Sequence, residues 1–88
     1  MDLNKIPGIS EEIVVDEVDG EKIVIRPEDG KVNTLNETGA KILDLIDGKR
    51  SVNEIIDEIA KLYSIGKDIA KRDVLELINK LEEKKIIK

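Results

Sequence analysis

The stretch from Leu35 to Ile59, LNETGAKILDLIDGKRSVNEIIDEI, constrains the fold more than any other part of the chain. Asn36 is a good N-cap residue, and the apolar residues after it repeat at helical spacing up to Gly48. Ser51 and Glu54 then form a capping-box pattern, which predicts the start of a second helix. The stretch therefore predicts two short helices joined by a tight turn, with Gly48 ending the first.

Two turn signals precede these helices and divide the N-terminal third of the chain into strands. Asp19-Gly20 lies between β-branched runs and predicts a two-residue hairpin turn, because both positions of such a turn need positive φ. This turn would pair Glu17 with Lys22 across the hairpin. Residues 27–30 (PEDG) predict a second turn, and Lys31–Leu35 then forms a short third strand. At the edge of a sheet, that strand would expose unpaired backbone groups to another chain.

A third helix is predicted from Lys67 to Lys84. Its apolar residues recur on one face, at Ala70, Val74, Leu77, Ile78 and Leu81. Leu75 lies off that stripe, beside Lys71 and Ile78. The predicted fold class is α+β and winged-helix-like, with three short antiparallel strands followed by three helices. Residues 1–10 lack periodicity, so we predict a flexible N-terminal arm over 1–10 and one domain over 11–88.

Composition excludes several classes of function. The chain has no Cys and no His, which removes disulfides, thiolate metal sites and the commonest general base. We therefore predict a protein that is not an enzyme and that holds no cofactor or metal. No apolar run approaches the roughly 20 residues of a membrane span, and the N-terminus does not resemble a signal peptide. The default expectation is a soluble cytoplasmic protein without membrane contact.

Charge is distributed unevenly along the chain. Residues 1–60 carry 7 basic and 15 acidic side chains, whereas residues 61–88 carry 8 basic and 5 acidic ones. The net charge of −5 argues against binding to nucleic acid, which requires basic groups that neutralise phosphates. The basic last third of the chain favours a local anionic partner.

The set of features as a whole resembles the PqqD family, the coenzyme PQQ synthesis protein D type. The resemblance runs from Ile13 to Ile87 and is carried by the segments LN…GAKIL…DGKRSV and DVLELINKL. Its residues, in order, are Pro27, Leu35-Asn36, Ala40, Ile42-Leu43, Asp47-Gly48, Ser51, Ile55, Tyr63, Asp73-Val74, Leu77-Ile78, Leu81 and Ile86-Ile87. Where the family often has an aromatic residue in the third helix, this chain has Leu77.

The resemblance implies a precursor-peptide recognition element. Such a domain holds the leader segment of a ribosomally made precursor peptide and delivers it to a modifying enzyme, which is a radical SAM maturase in the PQQ case. The peptide adds as a strand to the edge of the third strand and packs into a groove against the third helix. The peptide-binding residues predicted on this basis are Lys31, Val32, Asn33, Thr34 and Leu35 in the strand, and Lys71, Leu75 and Ile78 in the helix.

Two other interpretations remain open from the sequence. A winged-helix DNA-binding module has the same order of elements, although acidic residues interrupt both its hairpin and its third helix. The second interpretation is a structural or regulatory subunit that binds a protein partner and no leader peptide. For the oligomeric state we expect a monomer or a weak homodimer, since a small fold with an open edge can exchange strands.

Overall fold

The computed structural model describes residues 2–88 and contains three strands followed by three helices. The strands are β1 (Val14–Val18), β2 (Glu21–Arg26) and β3 (Lys31–Leu35), and the helices are α1 (Glu37–Leu45), α2 (Val52–Tyr63) and α3 (Lys67–Glu83). The predicted order of elements and the α+β class are confirmed. Winged-helix-like is only a loose description of this arrangement.

The three strands form one antiparallel sheet in the order β1-β2-β3. Asp19 and Gly20 have φ values of 51° and 81°, so the turn between β1 and β2 has the predicted left-handed backbone. The predicted register is also confirmed, with Glu17 opposite Lys22. Because β2 lies in the middle, both β1 and β3 are edge strands.

Side-chain caps fix the starts of α1 and α2. The Asn36 Oδ1 atom accepts a hydrogen bond from the Gly39 N–H at 2.7 Å. Ser51 and Glu54 form the predicted reciprocal capping box, with N···O distances of 3.2 and 3.0 Å. Both caps satisfy backbone N–H groups that have no partner within the helix.

The end of α1 differs from the prediction. The helix ends at Leu45, before Gly48, and Gly48 adopts a φ of 77° in the following turn. The Asp47 Oδ1 atom accepts backbone N–H groups of Lys49 and Arg50 at 2.9 and 3.0 Å. The carboxylate thus orders this turn, and these N–H groups lower the pKa of Asp47.

The N-terminal segment is extended and held against the rest of the chain. The Lys5 and Leu3 carbonyl groups accept the N–H groups of Val52 and Asn53 at 2.9 Å each, at the start of α2. Ile9 forms an antiparallel bridge with Ile87. These hydrogen bonds weigh against a loose arm, although its flexibility and the boundary at residue 10 stay predictions.

The core is aliphatic and lies between the helices and one face of the sheet. Only Val24 and Leu35 of the sheet are buried. The three helices, the residue that follows α1 and the C-terminal residues supply the rest of the apolar core: Ile42, Leu43, Ile46, Val52, Ile55, Ile56, Ile59, Ala70, Val74, Ile78, Leu81, Ile86 and Ile87. No helix within residues 2–88 is both long and apolar enough to cross a membrane.

Candidate functional site

Strand β3 is an edge strand whose two faces have opposite environments. Its register with β2 places Asn33 opposite Val24, so Asn33 and Leu35 face the core side of the sheet. Leu35 is buried and Asn33 is half-buried, whereas Val32 is 58% exposed on the outer face. The side chains of β3 therefore alternate between the two faces of the sheet. On the side away from β2, the edge presents backbone groups that pair with no other strand in the described part of the chain.

A groove runs between β3 and α3 and consists of three adjoining hollows. The first has a volume of about 310 Å³ and is lined by Arg26, Lys31, Val32, Asn33, Glu83, Lys84 and Ile86. The second, of about 60 Å³, is lined by Asn33, Thr34, Leu35, Leu77, Lys80, Leu81 and Lys84. The third continues past the start of α1 and is lined by Asn36, Thr38, Gly39, Ile42, Asp73, Glu76, Leu77 and Lys80. Because neighbouring hollows share lining residues, they form one groove, named here the β3–α3 groove.

All five predicted residues of β3 line the β3–α3 groove. Their role in binding is a prediction that the groove makes physically reasonable, because it supplies both an open strand edge and an adjoining apolar floor. The half-buried Leu77 forms the accessible part of that floor in the second hollow, and the buried Leu35 and Leu81 complete its apolar lining. An extended chain placed on the edge of β3 would bury alternate side chains against it.

The three predicted residues of α3 lie on a different face of the helix. Ile78 is 1% exposed and belongs to the core, so it offers no surface to a ligand. Leu75 is half-buried against the core, and Lys71 is exposed. None of the three is among the residues that line the hollows of the groove. The groove therefore takes Leu77, Lys80 and other residues from α3.

The helical period explains why the sequence pattern indicates a face of α3 different from the one that lines the groove. Leu77 fits the apolar stripe, which predicts a core position, whereas Leu75 lies off the stripe, which predicts a surface position. The structure leaves Leu77 half-buried at the groove. Leu77, Lys80 and Lys84 recur at helical spacing, and this apolar and basic row was the signal in the sequence that could have located the groove.

The groove beside β3 is rich in positive charge. Lys31, Lys80 and Lys84 line it, and within residues 2–88 none of their ammonium groups forms a salt bridge with a carboxylate. The Lys84 ammonium donates to the Asn33 side-chain oxygen, across the groove. Because Asn33 is neutral, this contact orients the ammonium without cancelling its charge.

Arg26 connects the β2–β3 turn to the end of α3. Its guanidinium group donates to both carboxylate oxygens of Asp29 and to the backbone carbonyl of Lys84. The hydrogen bonds from Arg26 are the main cause that lowers the pKa of Asp29 to about 2, and the Lys31 N–H contributes further. The same partner raises the pKa of Arg26. The charge of Arg26 is therefore largely compensated, and its hydrogen bonds join the β2–β3 turn to the residue that follows α3, at one end of the first hollow.

The described residues offer no arrangement for metal chemistry. Within residues 2–88, no three Asp or Glu side chains are grouped so that they could hold a metal ion, and the sequence has no His or Cys. The site is instead an open strand edge, an apolar floor and a basic rim. Such a site defines a class of domain that is suited to binding an extended peptide.

Comparison with known proteins identifies the family. The family model described as Coenzyme PQQ synthesis protein D (PqqD) matches residues 21–87, and the chain belongs to this family. A curated protein of Gluconobacter oxydans (strain 621H), named PqqA binding protein, is 46% identical over 46 residues. That match covers 52% of this chain and 48% of the relative, so the chain spans about half the length of the curated protein that it matches.

Solved structures share the fold over nearly the whole chain. The structure of TbiB1 in complex with the TbiA(beta) leader peptide has a TM-score of 0.83 at 25% identity, and covers 92% of this chain and 94% of that one. The solution structure of the PqqD truncation of Methylobacterium extorquens PqqCD has a TM-score of 0.82 at 18% identity, with coverages of 99% and 93%. The architecture is therefore that of PqqD-like recognition domains.

Proposed function

We propose that this protein binds the leader segment of a ribosomally made precursor peptide and presents it to a modifying enzyme. The leader adds as a strand to the edge of β3 and packs its alternate side chains into the β3–α3 groove. The single observation that carries the proposal is the open edge of β3 beside an apolar-floored groove. The backbone edge supplies hydrogen bonds, and the groove supplies selectivity.

The relatives support the binding part of this proposal. One is named PqqA binding protein, and another was solved with a leader peptide. A third is titled a functional and stand-alone recognition element for ribosomally synthesised and post-translationally modified peptides. We extend peptide recognition to this chain because it belongs to the same family and has the same fold.

The identity of the enzyme is a finer proposal. The resemblance drawn from the sequence implies a radical SAM maturase, and the description of the family refers to coenzyme PQQ synthesis, so we propose such an enzyme as the partner. In this scheme the protein itself performs no chemistry and needs no cofactor, and the enzyme supplies both. We place the process in the cytoplasm because ribosomes make the precursor there. We propose that the working form is a monomer or a weak homodimer.

A titration tests the binding step directly. The probe is a synthetic leader peptide, taken from a short precursor gene sought in the neighbourhood of this gene, and it is added to isotope-labelled protein. We expect backbone amide shifts concentrated in residues 31–36 and in the α3 residues that line the groove. If these amides do not move, the proposal is wrong. The presence of a radical SAM gene next to the precursor gene would support the enzyme partner.

Binding to DNA is the alternative that needs a separate measurement. The acidic hairpin gives it little physical support, since Asp16, Glu17, Asp19 and Glu21 lie where a wing would meet phosphates. We expect random duplex DNA to cause no salt-dependent shift in the same experiment. Saturable, salt-dependent binding would revive the winged-helix interpretation.

A further inference from the structure

We propose that the β3–α3 groove selects a leader strand in which an apolar residue and an acidic residue are two positions apart. The apolar side chain occupies the second hollow, and the carboxylate pairs with Lys84. This inference rests on the proposed peptide-binding function and adds to it the chemistry and spacing of the ligand. It follows from where the structure places charge along the groove.

Lys84 is positioned level with Asn33, and Asn33 is two residues from Leu35 on the same face of β3. The Lys84 ammonium donates a hydrogen bond to the Asn33 side chain, which holds the ammonium beside Asn33 along the length of β3. Leu35 lies in the apolar part of the groove with Leu77 and Leu81. A strand added to β3 has the same spacing of about 3.3 Å per residue. Two of its side chains on one face, two residues apart, therefore reach the apolar floor and the ammonium.

The groove is polarised along its length, which makes the order of these two side chains matter. Lys31 lies beyond Lys84, at the start of β3, and Lys80 lies near the apolar floor. Past the start of α1, the third hollow is lined by Asp73 and Glu76 together with Lys80, so acidic side chains outnumber basic ones there. A carboxylate in the ligand is attracted at the end of the groove beside Lys31 and repelled at the end beside α1. The ligand is therefore held with its acidic side chain toward Lys31.

The first hollow is not uniformly basic, which concentrates the argument on Lys84. Glu83 also lines it, and Arg26 is already paired with Asp29. Within the described residues, the Lys84 ammonium donates a hydrogen bond to the neutral side chain of Asn33 and forms no salt bridge. Lys84 also lines both the first and the second hollow. A charge-assisted hydrogen bond from a half-buried ammonium is worth more than a contact with a fully exposed one.

Four synthetic octapeptides test the inference, and they need no knowledge of the natural precursor. Two contain Leu-x-Glu and Glu-x-Leu in an otherwise neutral strand-forming sequence, and the other two carry Gln in place of Glu. Amide shifts of residues 31–35 are followed at low salt and at about 0.5 M salt. In one of the two orders, we expect the Glu peptide to bind about 10-fold more tightly than its Gln counterpart, and this advantage to shrink at high salt. The preferred order reports the direction of the bound strand.

Protein variants identify the charge that is responsible. We expect Lys84→Gln to abolish the preference for Glu, because Gln keeps a polar side chain at this position but carries no charge. Lys71→Gln removes a charge from α3 outside the groove, and Lys61→Gln removes an exposed charge from α2. We expect both variants to retain the preference.

The outcomes separate this inference from the function on which it rests. If all four peptides shift the β3 amides equally, strand binding stands and the charge selection is wrong. If Lys71→Gln removes the preference and Lys84→Gln does not, the basic residue has been misassigned. If no peptide shifts β3 even at millimolar concentration while the natural leader does, the apolar-x-acidic rule fails and leader binding remains. If the natural leader also fails, both proposals are wrong.

Discussion

The two edges of the sheet are alike in backbone and different in surroundings. Strands β1 and β3 each have five residues, and each pairs with β2 on one side only. All five residues of β1 are exposed, and acidic side chains occupy its middle. Strand β3 ends in a buried leucine and faces the basic groove of α3. The comparison teaches that an open edge becomes a candidate binding site only where a neighbouring element adds a floor and a charge.

Acidic residues also protect β1 from unwanted pairing. If two copies joined antiparallel through β1 about its central residue, Asp16 of one copy would lie opposite Asp16 of the other, with Glu17 close by. Like charges directly opposite one another destabilise a pair of strands. Charged edges of this kind prevent aggregation in natural sheets. A chain with two open edges can thus direct a ligand to β3 alone.

The largest expected effect is on the free energy of unfolding. It tests whether β3 is anchored to the core more firmly than β1. Leu35 in β3 is 9% exposed, so Leu35→Ala should lower the free energy of unfolding by about 3 kcal/mol through lost burial and a residual cavity. Val15 in β1 is 39% exposed, and Val15→Ala should cost less than about 0.5 kcal/mol. Chemical denaturation with matched m-values measures both. Equal losses would contradict the difference in anchoring.

Local signals account for the parts of the fold that the sequence predicts well. The Asp19-Gly20 turn, the Asn36 cap and the Ser51 capping box each depend on a few adjacent residues, so the element boundaries could be read directly. The end of α1 was less predictable, because the Asp47 side chain and not Gly48 alone organises the turn.

The candidate site was only half predictable, for a tertiary reason. Strand β3 was identified from its position after a turn and from its weak pattern. Which face of α3 borders the groove depends on how the helix is rotated against the sheet, and no local signal in the sequence records that rotation. Leu75 and Leu77 are two residues apart and point about 160° apart around the helix axis. Choosing one leucine instead of the other therefore predicts a binding surface on nearly the opposite side of α3.

A second prediction, with a smaller expected energy, tests which of these two leucines contacts a peptide that is bound at the edge of β3. Leu77→Ser should weaken leader binding about 20-fold, because the ligand loses an apolar contact in the second hollow. Leu75→Ser changes the same residue type on the other face, and Val14→Ser changes an exposed residue of β1. We expect both to bind within about twofold of the unchanged protein.

These binding constants are measured by titration calorimetry with the leader peptide, after circular dichroism has established that each variant is folded. Leu75→Ser is the stringent control, since Leu75 is also half-buried against the core. If Leu75→Ser weakens binding and Leu77→Ser does not, the sequence-based assignment of Leu75 is correct and the groove described here is not the binding surface.

The smallest expected effect concerns the turn that leads into β3. Arg26 lowers the pKa of Asp29 to about 2 from its ordinary value of 3.8. A lowered pKa in the folded state adds stability that is complete above the unfolded pKa and disappears as pH falls through the folded pKa. Unfolding free energies of the unchanged protein and Asp29→Asn should therefore differ most above about pH 4 and converge toward pH 2.

The same variant should also change local amide exchange. Because Arg26 also donates to the Lys84 carbonyl, losing the Asp29 carboxylate should increase amide exchange at the start of β3 more than in β1. A difference that stays constant between pH 4 and pH 2 would show that the Arg26–Asp29 pair does not stabilise this edge.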